Sequence, residues 1–297
     1  MEFEETVFIT GMTGKLNSFS VSPDGTRILV GRKKFSDGLQ LLDLKNGQIS
    51  KIPTEAGRTW GMPNWSPDGK QVVAISTAIR ENKYQVGEQE IILIDPRDWR
   101  YHKLAATSGV NIFPFFSADG KTVYYFKGKK RENGKTLASD YALYAYDLVE
   151  NQETRLTPDN MHQVDKGYDN GAEIMFSVHG FLGKPVFEEG LYVLNKTTLQ
   201  LRPVDVDQSN GFFMIYFGDK DAAGNIYFKA AKNRPSGGNF LWFVYRCDAQ
   251  GNSCIMTRET TIRSWVQVAS DTGEIFIDDV VGGEIVFRRL IEKPKVQ

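Results

Sequence analysis

Ser22-Pro23-Asp24-Gly25 recurs as Ser66-Pro67-Asp68-Gly69, and again as Ser117-Ala118-Asp119-Gly120. Proline favours the second position of a type I turn, and glycine the last, where a positive φ is needed. Each copy follows an aromatic or apolar stretch. Each precedes a β-type run: Arg27-Ile28-Leu29-Val30, Gln71-Val72-Val73-Ala74-Ile75 and Thr122-Val123-Tyr124-Tyr125-Phe126. The motif therefore reads as a hairpin turn.

Degenerate copies continue the series. Asp169-Asn170-Gly171, Ala222-Ala223-Gly224 and Asp271-Thr272-Gly273 each precede a further apolar run. The six glycines are spaced by 44, 51, 51, 53 and 49 residues. A third strand is predicted in each unit, over residues 39–44, 90–95, 142–148, 190–195, 241–246 and 284–289. A fourth follows over 48–52, 101–104, 153–156, 199–204 and 254–258. Four antiparallel strands per period of about 40–50 residues make a propeller blade. The expectation is an all-β, six-bladed β-propeller occupying residues 1–297 as one domain. The sixth unit lacks its fourth strand, and residues 290–297 read as a Lys/Pro-containing tail. Residues 5–10 supply the missing strand and close the ring, which protects a sheet edge.

Composition agrees. Apolar residues are 41% and charged residues 25%, which excludes a disordered chain. Twenty-eight glycines and 12% aromatics favour turns and strands. Thirty-six basic residues against 37 acidic leave no global field to recruit nucleic acid or an anionic membrane. No apolar run approaches the roughly 20 residues of a membrane span. The basic run Lys127-Gly128-Lys129-Lys130-Arg131 reads as a solvated loop. Two cysteines exclude a disulfide-rich scaffold and a four-cysteine zinc site. The acidic start Met1-Glu2-Phe3-Glu4-Glu5 has no signal-peptide character. Either the protein is cytoplasmic, or a leader has been replaced by Met1.

The Ser-Pro-Asp-Gly turn, the Pro63-Asn64-Trp65 lead into one copy, and the strand-end residues Asp43, Asp95, Asp147 and Asn195 resemble the TolB-type propeller repeat. The resemblance covers nearly the whole chain and is strongest in the first three units. It implies a six-bladed propeller that binds a protein or peptide without catalysis, in the periplasm or secreted. The same repeat occurs in propellers attached to prolyl-oligopeptidase-type peptidases. Here no Gly-x-Ser-x-Gly nucleophile elbow is present.

A propeller divides its connections between two faces. The Ser-Pro-Asp-Gly turns and the third-to-fourth-strand turns share one. The longer connections 77–89, 127–141, 179–189 and 229–239 share the other with the linkers between blades. Long loops in compact domains often carry function, so the site is expected on this second face. Its candidates are Arg58, Trp60, Asn111, His162, His179, Asn210, Arg263 and Trp265. Packing between blades competes with binding for each aromatic. Arg58 and Arg263 are harder to assign to packing, because a buried unpaired arginine is costly.

A two-residue Asn170-Gly171 turn would place His162 directly across from His179. Cross-strand neighbours are about 5 Å apart, near enough to share a metal. His162, His179 and Asp165 are the ligand candidates for a divalent ion, against a reading with no cofactor. Cys247 and Cys254 end a third strand and start a fourth, so they form either a disulfide or two free thiols. The competing readings are a metal-dependent, lactonase-like hydrolase or lyase with its site at the channel mouth, in which Asn17, Asn111 and Asp165 lie near that mouth, and a carbohydrate binder stacking sugars on Trp60 and Trp265.

Overall fold

The computed structural model describes residues 3–14, 16–32, 38–105, 110–130, 138–181, 189–206, 209, 211–233, 240–260 and 265–293. They form six four-stranded antiparallel sheets. β1 (Phe3–Thr13) comes first in the chain and joins the last sheet. Blade one is β2 (Leu16–Val21), β3 (Arg27–Arg32), β4 (Leu39–Asp43) and β5 (Ile49–Lys51). Blade two is β6 (Arg58–Trp65), β7 (Val72–Arg80), β8 (Lys83–Ile94) and β9 (Tyr101–Ala105). Blade three is β10 (Val110–Phe116), β11 (Thr122–Lys130), β12 (Ala138–Asp147) and β13 (Gln152–Arg155). Blade four is β14 (Val164–Asp169), β15 (Glu173–His179), β16 (Glu189–Asn195) and β17 (Leu201–Pro203). Blade five is β18 (Phe212–Lys220), β19 (Ile226–Lys232), β20 (Leu241–Cys247) and β21 (Ile255–Thr260). Blade six is β22 (Val266–Val268), β23 (Ile275–Val281), β24 (Glu284–Glu292) and then β1. The first strands of successive blades touch around a ring, with β22 against β2.

The repeated motif builds its turn with its own side chains. Gly25 N–H donates to Ser22 O at 2.9 Å, with Gly25 at φ +68°. Ser22 Oγ donates to Asp24 Oδ1 at 2.5 Å and accepts from Arg27 N–H at 3.0 Å. Ser66 with Asp68 and Ser117 with Asp119 repeat this geometry. The serine hydroxyl, with a backbone N–H, holds Asp68 and Asp119 below the usual carboxylate pKa. The strand-end residues work alike: Asp43, Asp95, Asp147 and Asn195 each accept the N–H two residues on. Asp248 does the same in blade five, where the sequence pattern had faded.

Hydrogen bonds from inner strands tie neighbouring blades. Trp65 Nε1 donates to Ser20 O at 3.3 Å, Ala118 N–H to Asp169 Oδ2 at 3.1 Å, and Phe217 N–H to Ser177 Oγ at 3.1 Å. Val268 N–H donates to Asp219 Oδ2 at 3.1 Å, and Asp271 N–H to Pro23 O at 3.0 Å. Apolar side chains fill the space between sheets; Phe19, Ile28 and Val30 of blade one pack with Phe276, Ile285 and Phe287 of blade six.

The closing strand is longer than residues 5–10. It pairs with β24 from Phe3↔Glu292 to Ile9↔Val286. Arg288 binds Glu5 at 2.5 Å and Asp279 at 3.0 Å, clamping the two strands to β23. Residues 290–292 are therefore strand rather than tail, because Leu290 is buried against blade five. The expected loop 77–89 is also mostly strand. β7 and β8 run on to a two-residue turn at Glu81 and Asn82, both with positive φ, the signature of a tight hairpin.

Cys247 and Cys254 are joined by a disulfide, with Cα atoms 4.0 Å apart and both residues buried. It ties β20 to the start of β21. Alkylation of unfolded, unreduced protein is expected to label neither cysteine, and after reduction both. Labelling of both without reductant would remove the residue-level argument for an oxidising compartment.

Candidate functional site

The second face carries two distinct arrangements. The first is a cavity of about 260 Å³ where blades one, two and three meet. Its apolar walls come mainly from blade two, with Trp60, Met62, Ile75, Tyr84 and Val86, while blade three adds Tyr141. Asn17 and Arg32 border it on the blade-one side, and Asn111 on the blade-three side. Gly61 also lines it, beside the Asn17 amide. The projecting β7–β8 hairpin supplies Tyr84, which is 38% exposed, and Val86.

Trp60 is 1% exposed and packs with Leu29, Leu39 and Ile52 of blade one, edge-on to Tyr101 at 4.8 Å. Its Nε1 is buried and has no hydrogen-bond partner among the described residues. Asn111 is wholly buried and donates to Gln89 O at 2.9 Å, spanning blades three and two. Arg58 lies near this region but is not lining. Its guanidinium donates to Ser76 Oγ at 2.7 Å and Ser76 O at 2.8 Å, and pairs with Glu90 at 2.8 Å. Those partners resolve the cost of its burial.

The second arrangement is a cluster of buried ionisable groups in blades four to six. Asp165 Oδ2 lies 2.7 Å from His179 Nε2 and accepts from Ser177 Oγ at 3.1 Å. The His179 ring packs on Tyr216 at 4.3 Å. Lys229 Nζ sits over Tyr216 at 4.9 Å and Trp242 at 5.0 Å. Burial pulls the Lys229 amine down to about 8, against the opposing pull of Asp165 and Asp278. Asp278 accepts the Trp265 N–H, and burial pushes its carboxyl up to about 7.

His162 and His179 do not face each other. β14 and β15 pair as Tyr168↔Met175 and Asp169↔Ile174. The turn closes one residue later than expected, with Asn170 N–H on Glu173 O at 3.0 Å and Gly171-Ala172 at its centre, and a bulge between Val164 and Gly167 shifts the register again. His162 N–H donates to Gly180 O, and His179 N–H to Gln163 O. Among the described residues no three His, Cys, Asp or Glu side chains group as a metal set. Trp265 is half-buried, with its ring 5.9 Å from that of Phe113, and Phe113 N–H donates to Met62 Sδ at 3.4 Å. These three obstruct the channel, leaving a void of about 20 Å³ between the inner strands. Below the plug a separate cavity of about 210 Å³ opens on the turn face, where Lys166 bridges Asp219 at 3.3 Å and Gln267 at 2.9 Å. Asn210 and Arg263 lie outside the described residues.

Sequence reasoning missed Arg32, Tyr84 and Tyr141 of the cavity, and Lys229 and Asp278 of the cluster. A signal for the last two existed. Each is a charge set in an apolar second strand, Ile226-Tyr227-Phe228-Lys229-Ala230 and Ile275-Phe276-Ile277-Asp278.

Solved structures match this architecture along almost its whole length. A protein assigned as TolB from Agrobacterium tumefaciens superposes with a TM-score of 0.66 at 15% identity, covering 99% of this chain and 100% of that one. The fold is that of a TolB-like six-bladed propeller. TolB from Acinetobacter baumannii gives 0.57 at 18% identity, over 94% of this chain and 65% of that chain. An oligogalacturonate lyase in complex with manganese gives 0.59 at 10% identity, over 96% and 79%. No protein-family profile and no curated protein sequence matches the chain. The same frame thus carries both the TolB name and an oligogalacturonate lyase. No helix among its described residues is long and apolar enough to cross a membrane.

Proposed function

We propose that this TolB-like propeller is a non-catalytic binding module that receives a protein or peptide partner on its second face. The carrying observation is the half-open, largely apolar cavity between blades one and three. Concave apolar pockets with a few convergent polar groups are the usual form of a binding site. The obstructed channel supports a partner seated off the axis rather than threaded through it. The Cys247–Cys254 disulfide supports placement in the periplasm or outside the cell. Trp60 offers no stacking face to a sugar at 1% exposure, which weighs against the carbohydrate reading.

The test is selection of peptides from a displayed random library on the wild-type protein, followed by affinity measurement on Val86→Arg. Val86 is half-buried on the cavity wall, at the margin of the cluster that holds Val110 and Tyr141, so the substitution puts a charge there. Selected peptides are expected to lose about tenfold or more in affinity, with the variant still folded by circular dichroism. Equal affinity for both proteins would reject the cavity as the receiving site.

The lyase likeness keeps one enzymatic reading in view, with the buried Asp165–His179 pair beside Lys229 as its centre. Under that reading His179→Gln would abolish turnover of a substrate while leaving peptide binding at the distant cavity intact.

A further inference from the structure

The cavity that opens on the turn face is built by all six blades, from Ser20 of blade one round to Val268 of blade six. Asn64, Lys166 and Gln267 line both this cavity and the small void among the inner strands, so they form its inner end. Pro67, Ala118 and Ser270 are exposed and form its mouth. Buried Trp65, Phe115, Phe116 and Val268 lie between, on the walls. We propose that this cavity binds a small organic acid, with its carboxylate at the inner end and its apolar body along the walls. The site is separate from the one that receives a peptide on the second face and does not depend on it.

The unused hydrogen-bonding groups at the inner end are mainly donors. An ammonium carries three N–H groups. Lys166 Nζ gives one to Gln267 Oε1 at 2.9 Å and one to Asp219 Oδ2 at 3.3 Å, and the third has no partner among the described residues. Gln267 is 4% exposed, and its Nε2 has no hydrogen-bond partner among the described residues. That nitrogen is not sealed in the packing, so it opens on the space at the axis. The Asn64 amide at the same end also has no partner among the described residues. The two carboxylates of the wall, by contrast, are already used. Asp219 accepts Val268 N–H and Lys220 N–H besides Lys166. Asp169 accepts Ala118 N–H and Gly171 N–H and pairs with Lys196 at 3.0 Å. Each carboxylate is thus neutralised by its own lysine. What remains is an ammonium joined to a side-chain amide, both with N–H groups to give. A carboxylate takes two such donors at once, and its charge-assisted bond to the ammonium is the stronger kind.

Size and shape limit the rest of the ligand. A space of about 210 Å³ lies below the range of about 300–1,000 Å³ typical of small-molecule pockets. It suits an acid with one ring or a short chain, laid against the aromatic and aliphatic walls. Met62, Phe113 and Trp265 obstruct the channel beyond the inner end, so the ligand enters and leaves by the turn face.

Calorimetric titration of benzoate and hexanoate into the wild-type protein, each beside its amide, tests this. The acids are expected to bind about tenfold or more tightly than benzamide and hexanamide, since the amides forfeit the charge-assisted bond. Ala118→Trp sets a bulky ring at the mouth from an exposed turn position. It is expected to weaken acid binding about tenfold or more, with the variant still folded by circular dichroism. Lys166→Met is expected to bring the acids down to the level of the amides. That substitution leaves Asp219 without its lysine; if the variant does not fold, the acid–amide ratio and Ala118→Trp still decide. Equal binding of acid and amide, no binding of either acid, or acid binding undiminished in Ala118→Trp would each overturn the proposal. Binding of a Gly-Ser peptide with an internal glutamate, where neither free acid binds, would overturn it in favour of an acidic side chain of a protein.

Discussion

A protein lacking residues 1–13 should not hold a closed propeller. Removal of β1 strips a full ladder from β24, from Phe3↔Glu292 to Ile9↔Val286. It also uncovers the apolar side chains of blade six that Phe8 and Met12 shield, including Phe276 and Phe287. Arg288 loses Glu5, one of its two carboxylate partners. Losing two packed side chains and newly exposing others amounts to about 5 kcal/mol. That is comparable with the whole stability of an ordinary domain, roughly 5–15 kcal/mol. The truncated chain is expected to be insoluble or to melt far below the full chain in a thermal scan. Equal melting temperatures would mean that β1 is not the strand that closes the ring. A synthetic peptide of residues 1–13 added in trans should restore part of the loss, because the missing edge accepts a strand of that sequence.

The second large effect concerns Asp278. Burial raises its folded-state pKa to about 7 from 3.8, so the folded protein holds a proton that the unfolded chain gives up. Its contribution to stability is fully present below about pH 4 and is lost as pH rises through 7. Lys229 acts at the other end of the scale. Its folded pKa of about 8 lies below 10.5, so its buried charge costs stability up to pH 8, and the cost is relieved as pH climbs toward 10.5. From these two groups, stability is lowest between about pH 7 and 8. Asp278→Asn removes the first limb. The difference in melting temperature, wild type minus variant, should fall between pH 5 and 8, by an amount equivalent to a few kcal/mol on the order of the linkage. Parallel pH profiles for the two proteins would show that Asp278 does not titrate in that window. The groups facing the pair, Asp165 and His179 from blade four and Asp279 beside it, remain in both proteins and cancel in the difference.

Particular residues show where the sequence could be read and where it could not. Gly25, Gly69 and Gly120 mark their turns correctly because a positive φ is a local demand, met by the residue itself. Asp43 and Asp95 mark strand ends for the same reason, since each bonds an amide two residues away. The His162–His179 pairing failed because the turn centres on Gly171 and Ala172 rather than on Asn170 and Gly171, and because a bulge lies between Val164 and Gly167. A hairpin register shifts by whole residues on such a detail. Trp60, for which packing competed with binding, is 1% exposed and packs with Leu29, Leu39 and Ile52 of blade one, contacts that no stretch near residue 60 spells out.

The sequence by itself determined the number of blades, the four-strand plan of each and the strand that closes the ring. Those features rest on turn chemistry and on apolar runs that act within a few residues, repeated six times. Only the tertiary structure decided which residues share a site. Asn17, Arg32, Trp60, Val86 and Tyr141 line one cavity although they span three blades. Asp165, Lys229 and Asp278 meet across three others. Contacts of that kind depend on how neighbouring sheets twist and pack, and no local pattern in the chain encodes them.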